Sequence, residues 1–380
     1  MKKLLFHLVL AGLVVAVLEL GAFAALVLLR AKGYVYKPPR HTQPLDYATR
    51  MRIGHPVLGW PLTQGRDAPG GDHRDRTGAR RSPAFPDPDA VPSCVSMYGD
   101  SFVESVELDH EHAAANLLAR AIGCRVANFG QAGYGSDQAF MRYRLNAADQ
   151  ADTVILGHML ENIRRNINRN RDLITGGLDY NLKPRFVFDG QGELAIVQMP
   201  QLSADEYERN VGLRTPLLAL DHENFQPGGA LVGPMVQFPY LISLARNVGK
   251  HGLRARIRGY HDKFAEFYEP GHPTQALELT VAIMKAFRAE AGRRSQKSLI
   301  LLMPTLQTMT YHAETGIWVH QSLRDQLDRE QIPYLDFAPY LASHKDRDFG
   351  AYFTPGGHYN ERGDALLARM MADGLSRASR

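Results

Sequence analysis

Four short stretches of the chain carry side chains able to do nucleophilic chemistry. Gly99-Asp100-Ser101 sets a serine just past the apolar run SCVSMY. Asn128 is followed five residues later by Gly133, in a glycine-rich stretch whose backbone N–H groups can come close to a substrate oxygen. Gly157 ends a further apolar run, with Glu161 and Asn162 close behind, and Gly356-Gly357-His358-Tyr359-Asn360 stands just before the last amphipathic segment. A serine hydroxyl becomes a good nucleophile only when a neighbouring base takes its proton, and imidazole does this near neutral pH. Ser101 and His358 are the pair that could do so. Gly-Asp-Ser alone would also fit a plain strand-to-helix cap, so the weight falls on all four stretches being brought together.

The pattern between them supplies a way to do that. SCVSMYG and CRVANFG read as short buried strands, HEHAAANLLARAI and SDQAFMRYRLNAA as amphipathic helices, and DTVILGHM as a third strand buried on both faces. From 163 to about 296 the alternation breaks into an Arg/Asn run, a hairpin (PRFVFDGQGELAIVQMP) and helical segments around 238 to 260 and 274 to 292. SLILLMP, SLRDQLDRE, IPYLDF and HYNERGDALLARMMADGL then resume as strand, helix, strand and closing helix. Alternating strands and helices predict an α/β fold with a parallel sheet between helical layers, and ligands of such sheets bind beyond the carboxyl ends of the strands. Three of the stretches fall at such ends and the fourth stands before the last helix, so four polar loops are expected to converge on one edge of the sheet.

The 380 residues carry 44 Lys+Arg scattered among 40 Asp+Glu, for a net charge of +4. With no basic stripe, nucleic acid is not the expected partner. Cys94 and Cys124 make neither a disulfide framework nor a zinc cluster; two free buried thiols are expected rather than a bridge. No cluster implies a metal or organic cofactor. Residues 4 to 29 form an apolar run long enough to cross a bilayer and longer than the apolar core of a cleaved signal. Lys2 and Lys3 before it favour a cytoplasmic N-terminus, with the remaining mass outside the cytoplasm. Glu19 inside that run must be protonated or paired, and a neutral, tolerated carboxyl is the expectation. Residues 33 to 92 read as a linker or loosely docked lead-in, within which HPVLGWP carries Trp60.

Taken together, the motifs resemble the SGNH (GDSL-type) serine hydrolase family, over roughly residues 93 to 162 and 298 to 375. The resemblance implies a flavodoxin-like three-layer sandwich with a central parallel sheet over 93 to 380, carrying an insertion at about 165 to 296, behind a transmembrane anchor at 1 to 32. It implies Ser101 as nucleophile, His358 as base, and an oxyanion hole from Ser101, Gly133 and Asn162. Two departures stand out. The family's third block has its asparagine two residues after the glycine, whereas Asn162 comes three positions later. The family also places an aspartate two or three residues before the histidine, where this chain has Gly356 and Pro355. Asp348 or Asp336 could orient the imidazole from elsewhere, or a carbonyl near Thr354 could leave a Ser–His dyad; Asp348 completes the expected catalytic set. Leu58-Gly59-Trp60 and ENIRRNINRNR (161 to 171) further resemble a membrane-anchored branch, and the latter could hold a glycan or an anionic group, or form a solvated charged face. His158 is expected to be structural, and Glu361 to complement a helix dipole. The implied activity is ester hydrolysis or O-acyl transfer on an extracytoplasmic carbohydrate or lipid. The alternative is an inactive glycan-binding or scaffold protein of a polysaccharide export system.

Overall fold

The computed structural model describes residues 2–32, 34–36, 45–60, 73–177, 180–213, 220–248, 250, 264–344 and 348–378. They fall into two compact units. The larger holds Ala48–Ile167, Leu182–Gln201 and Phe264–Arg380; the smaller holds Met1–Tyr47, Asn168–Asn181 and Leu202–Lys263.

In the larger unit, β1 (Ser93–Tyr98), β2 (Arg125–Asn128), β3 (Thr153–Met159), β6 (Lys297–Met303) and β7 (Tyr334–Asp336) form one sheet in the order β2-β1-β3-β6-β7. Every neighbouring pair is parallel. This is the flavodoxin-like order, with its switch point at β1 and β3. β4 (Arg185–Phe188) and β5 (Leu194–Val197) form the expected hairpin apart from it. The strands are apolar because both faces are covered. Val95, Met97, Val126, Ile155, Leu301 and Met303 point to one side, into a core shared with α3 (Ala114–Ile122) and α8 (Glu361–Ala378). α3 turns Ala114, Ala115, Leu118 and Ala119 inward and stops at Gly123. On the other side lie α4 (Ser136–Leu145) and α6 (Ala276–Arg293), where Tyr98 packs edge-on against Tyr143. The single turn α2 (Ser101–Glu104) sits directly after β1, and α7 (Gln321–Arg329) between β6 and β7.

Three expectations change. The lead-in is not a linker throughout: 48–60 and 73–92 belong to the sheet unit, because their polar groups bond into it. The Trp60 indole N–H donates to Ala132 O at 3.0 Å, and Arg80 guanidinium N–H groups donate to the carbonyls of Glu104, Ser105 and Leu108. The insertion is also not continuous from 165 to 296, since the hairpin packs on α4 and α6, and α6 packs on the sheet, all within the larger unit. Cys94 and Cys124, expected to be free thiols, form a disulfide with Cα atoms 6.1 Å apart. They stand at the starts of two adjacent parallel strands, a separation that a disulfide spans without moving the backbone.

In the smaller unit, α1 (Lys2–Ala31) is apolar on all sides and packs with α5 (Tyr240–Val248). It is long and apolar enough to cross a membrane. Glu19 is paired and not merely tolerated, because Tyr240 N donates to its Oε2 at 2.5 Å and Leu241 N at 3.3 Å. Of the helical segments expected around 238 to 260, residues 251–260 lie outside the described residues.

Candidate active site

Ser101 is the first residue of α2 and is nearly buried, at 6% exposure. Asp100 ahead of it is the N-cap: its carboxylate accepts from Phe102 N at 2.9 Å, which fixes the turn that carries the hydroxyl. Burial raises the Asp100 pKa, while the Arg165 guanidinium at 3.5 Å and the Phe102 amide oppose that rise. Asp100 is therefore consumed in holding the turn that carries Ser101.

Across 257 residues of sequence, His358 Nε2 lies 2.8 Å from Ser101 Oγ. The imidazole is set by its surroundings. Thr354 N donates to His358 O at 2.8 Å, closing a turn, and the ring packs on Phe102 with centroids 5.1 Å apart. Beside it, Tyr359 Oη donates to Pro304 O at 2.7 Å, tying the start of α8 to the end of β6. On the far side of the ring, Nδ1 meets Glu107 Oε1 at 2.5 Å. With the serine hydroxyl donating to Nε2, the imidazole proton belongs on Nδ1, donated to the carboxylate. Hydrogen bonds from the Thr354 hydroxyl and from His358 hold the Glu107 carboxyl below the usual range, so it stays ionised near neutral pH.

Glu107 is the residue that sequence reasoning missed. It reaches His358 from the segment after α2, which ends at Ser105 in a left-handed turn (φ 56°). Room for it comes from Gly356: a Cβ there would lie 2.0 Å from Glu107 Oε1 and 2.6 Å from its Cδ. The glycine found where an aspartate was expected is thus what lets another carboxylate in. Asp348, expected in the catalytic set, does a different job. It caps the short turn Phe349–Tyr352, its Oδ1 accepting from Gly350 N at 3.0 Å. Asp336 is engaged as well, with Oδ2 2.9 Å from His320 Nε2 and Oδ1 accepting from Ala338 N.

The glycine loop after β2 is tied to the turn that carries Ser101. Asn128 Nδ2 donates to Val103 O at 2.7 Å while its Oδ1 accepts from Gly130 N, and Gln131 N donates to Gly99 O at 3.0 Å. Arg165 donates to Tyr134 O, and Ala132 N donates to Glu104. Gly133 has φ +85°, in the left-handed region a side chain disfavours. Asn162, the first residue of the turn Asn162–Arg165, is fully buried. Its amide adds to the stabilisation of the Asp100 carboxylate, yet neither Nδ2 nor Oδ1 makes a hydrogen bond of normal geometry. Such a buried amide beside the turn that carries Ser101 is unusual, since buried polar groups are normally hydrogen-bonded.

Other expectations resolve locally. His158 is fully buried between the Ser136 hydroxyl (2.7 Å) and the Tyr268 hydroxyl (3.0 Å), and burial pushes its pKa down to about 3, so it stays neutral and structural. Glu361 opens α8, as expected of a first-turn charge. The run at 161 to 171 is neither a solvated face nor an open anion site. In the sheet unit Arg165 holds Asp100 and Tyr134 O, and Asn166 bonds Thr280; in the smaller unit Asn168, Arg169 and Asn170 close around the buried Glu223 carboxylate.

No family model matches the chain, and no curated protein matches it. Among solved structures it is similar to a member of the lipolytic G-D-S-L family from Veillonella parvula, at 12% identity and a TM-score of 0.36, covering 74% of this chain and 98% of that one. It is similar to a GDSL-like lipase from Bacteroides thetaiotaomicron (10%, TM-score 0.34, 75% and 88%). A psychrotrophic esterase from a Pseudoalteromonas species is a third such structure (9%, TM-score 0.32, 74% and 96%). At these TM-scores the likenesses decide nothing about the chemistry, and the functional reading rests on the chain's own contacts.

Proposed function

We propose that the chain is a membrane-anchored serine enzyme that cleaves acyl esters through a Ser101-His358-Glu107 triad. The observation that carries this reading is one imidazole held between a serine hydroxyl at 2.8 Å and an ionised carboxylate at 2.5 Å. Ser101 Oγ attacks the ester carbonyl carbon as its proton passes to His358 Nε2, and the resulting imidazolium is stabilised by Glu107. The oxyanion accepts from the Ser101 and Gly133 backbone N–H groups and from Asn162 Nδ2. Collapse expels the alcohol, which takes the proton back from His358, and leaves an acyl-serine. Water, or a sugar hydroxyl in the transferase version, then enters with His358 as base again and releases Ser101.

In this reading α1 spans the membrane and the sheet unit faces away from the cytoplasm. Lys2 and Lys3 and the Cys94–Cys124 disulfide support that placement, since disulfides persist in oxidising compartments. The substrate is an acylated extracytoplasmic carbohydrate or lipid. An inactive scaffold would be favoured by a base with no orienting carboxylate, and Glu107 Oε1 at 2.5 Å from His358 Nδ1 speaks for the enzyme reading instead. A fluorophosphonate probe tests the reading: wild type should label and Ser101→Ala should not, with ester turnover falling on the order of a thousandfold or more. Equal absence of labelling in both, with turnover at background, would end the enzyme reading.

A further inference from the structure

α5 is built inside out. Its polar residues Ser243 and Asn247, one turn apart, are the buried ones. The Ser243 hydroxyl accepts from Gln237 N, and the Asn247 amide donates to Ser243 O at 2.8 Å and to Pro234 O at 3.4 Å. Leu241, Ile242, Ala245 and Val248 point outward, and Phe238 just before the helix is 70% exposed. Ten large hydrophobic residues outside α1 are exposed among the described residues, and five of them lie between Met235 and Val248. A water-facing helix shows the opposite pattern. The outward face also continues an apolar surface: α5 packs on α1, Phe23 meets Tyr240 with ring centroids 4.9 Å apart, and the exposed side of α1 is apolar from Leu8 to Leu28.

We infer that the segment from Met235 to Val248 is a second membrane element, whose outward face is solvated by lipid acyl chains. This rests on reading α1 as a membrane span. Glu19 lies ten residues before Leu29, about 15 Å along the helix, which places the first turn of α5 within the hydrocarbon. Nine residues rise only about 14 Å, too short to cross, so α5 enters one leaflet beside α1 without spanning. Backbone N–H groups at a helix start cannot stay unpaired in lipid, and Glu19 accepts from two of them while gaining the donors its own carboxylate needs there. Exposed Arg246 has a stem long enough to carry its guanidinium to the headgroups.

The test uses the full chain in vesicles of phosphatidylcholine and phosphatidylglycerol. Because both native cysteines are bridged, a spin label can be placed singly at Ile242→Cys, at Val14→Cys on α1, and at Leu145→Cys on the sheet unit as a water reference. Collision with dissolved oxygen should dominate at Val14 and Ile242, and collision with an aqueous nickel chelate at Leu145. Glu19→Ala should shift Ile242 toward the nickel chelate and leave Val14 unchanged. If Val14 is lipid-facing while Ile242 matches Leu145, the inference falls and the span stands. Ile242 shielded from both probes, with spin–spin broadening between copies, would overturn it in favour of a second copy covering the face. An aqueous Val14 would overturn both.

Discussion

Two of the histidine–carboxylate pairs in the sheet unit look alike on paper and do different things. Glu107 faces His358 at 2.5 Å and Asp336 faces His320 at 2.9 Å. The other nitrogen of His358 meets a hydroxyl on a strand-end turn, whereas the Nδ1 of the fully buried His320 has no hydrogen-bond partner. Asp336 also caps the helix Phe337–Ala342 and lies 3.5 Å from Arg324, so its charge is spent on structure. A carboxylate beside an imidazole is therefore common to core packing and to catalysis. The third partner, and its place at the carboxyl end of β1, separates the two.

Substitutions can break that contrast in order of size. After Ser101→Ala, the largest loss is expected from Glu107→Gln, which removes the charge facing the imidazolium and should lower kcat by about 10²- to 10⁴-fold with the fold intact. Steady-state kinetics beside circular dichroism would check this; unchanged kcat would leave a Ser–His dyad as the working unit. Gly356→Ala keeps every catalytic group but puts a methyl where the Glu107 carboxylate lies, so a drop in kcat of about 10²-fold with little change in KM is expected. The combined Gly356→Ala, Glu107→Gln variant should then be no worse than Glu107→Gln alone, since both act on one contact. Asp336→Asn should leave kcat within about twofold and cost about 1–3 kcal/mol of stability, read by denaturant unfolding. Asp348→Ala should be smallest, leaving turnover unchanged and losing only the cap, worth about 1 kcal/mol.

Much of this was legible in the sequence because buried parallel strands are near-continuous apolar runs, and Ser101 and His358 both follow from strand or helix ends that such a sheet must gather at one rim. Asp348 misled because proximity to the histidine in sequence was the only guide to an orienting carboxylate. The clue to Glu107 was Gly356 itself, since a missing side chain beside a base leaves space, but no pattern in a single chain says which loop fills it. Glu104, three residues nearer Ser101, would have been an equal choice, and it is taken by Arg74 and Ala132 N. The lead-in misled for a different reason: Pro, Gly and Arg read as linker, while the bonds from Trp60 and Arg80 that fasten it run to distant backbone carbonyls that no local periodicity reveals.

The disulfide lies at the opposite ends of β1 and β2 from the Ser101 hydroxyl, yet the 30-residue stretch it closes contains Ser101, Glu107 and all of α3. Ser101 and Glu107 therefore share one covalent ring. A protease cut anywhere between Asp109 and Ala113 would open that ring without releasing a fragment. The nicked chain would stay covalently whole, parting into two pieces only under denaturant with a reductant, because β1 is also held by hydrogen bonds between β2 and β3.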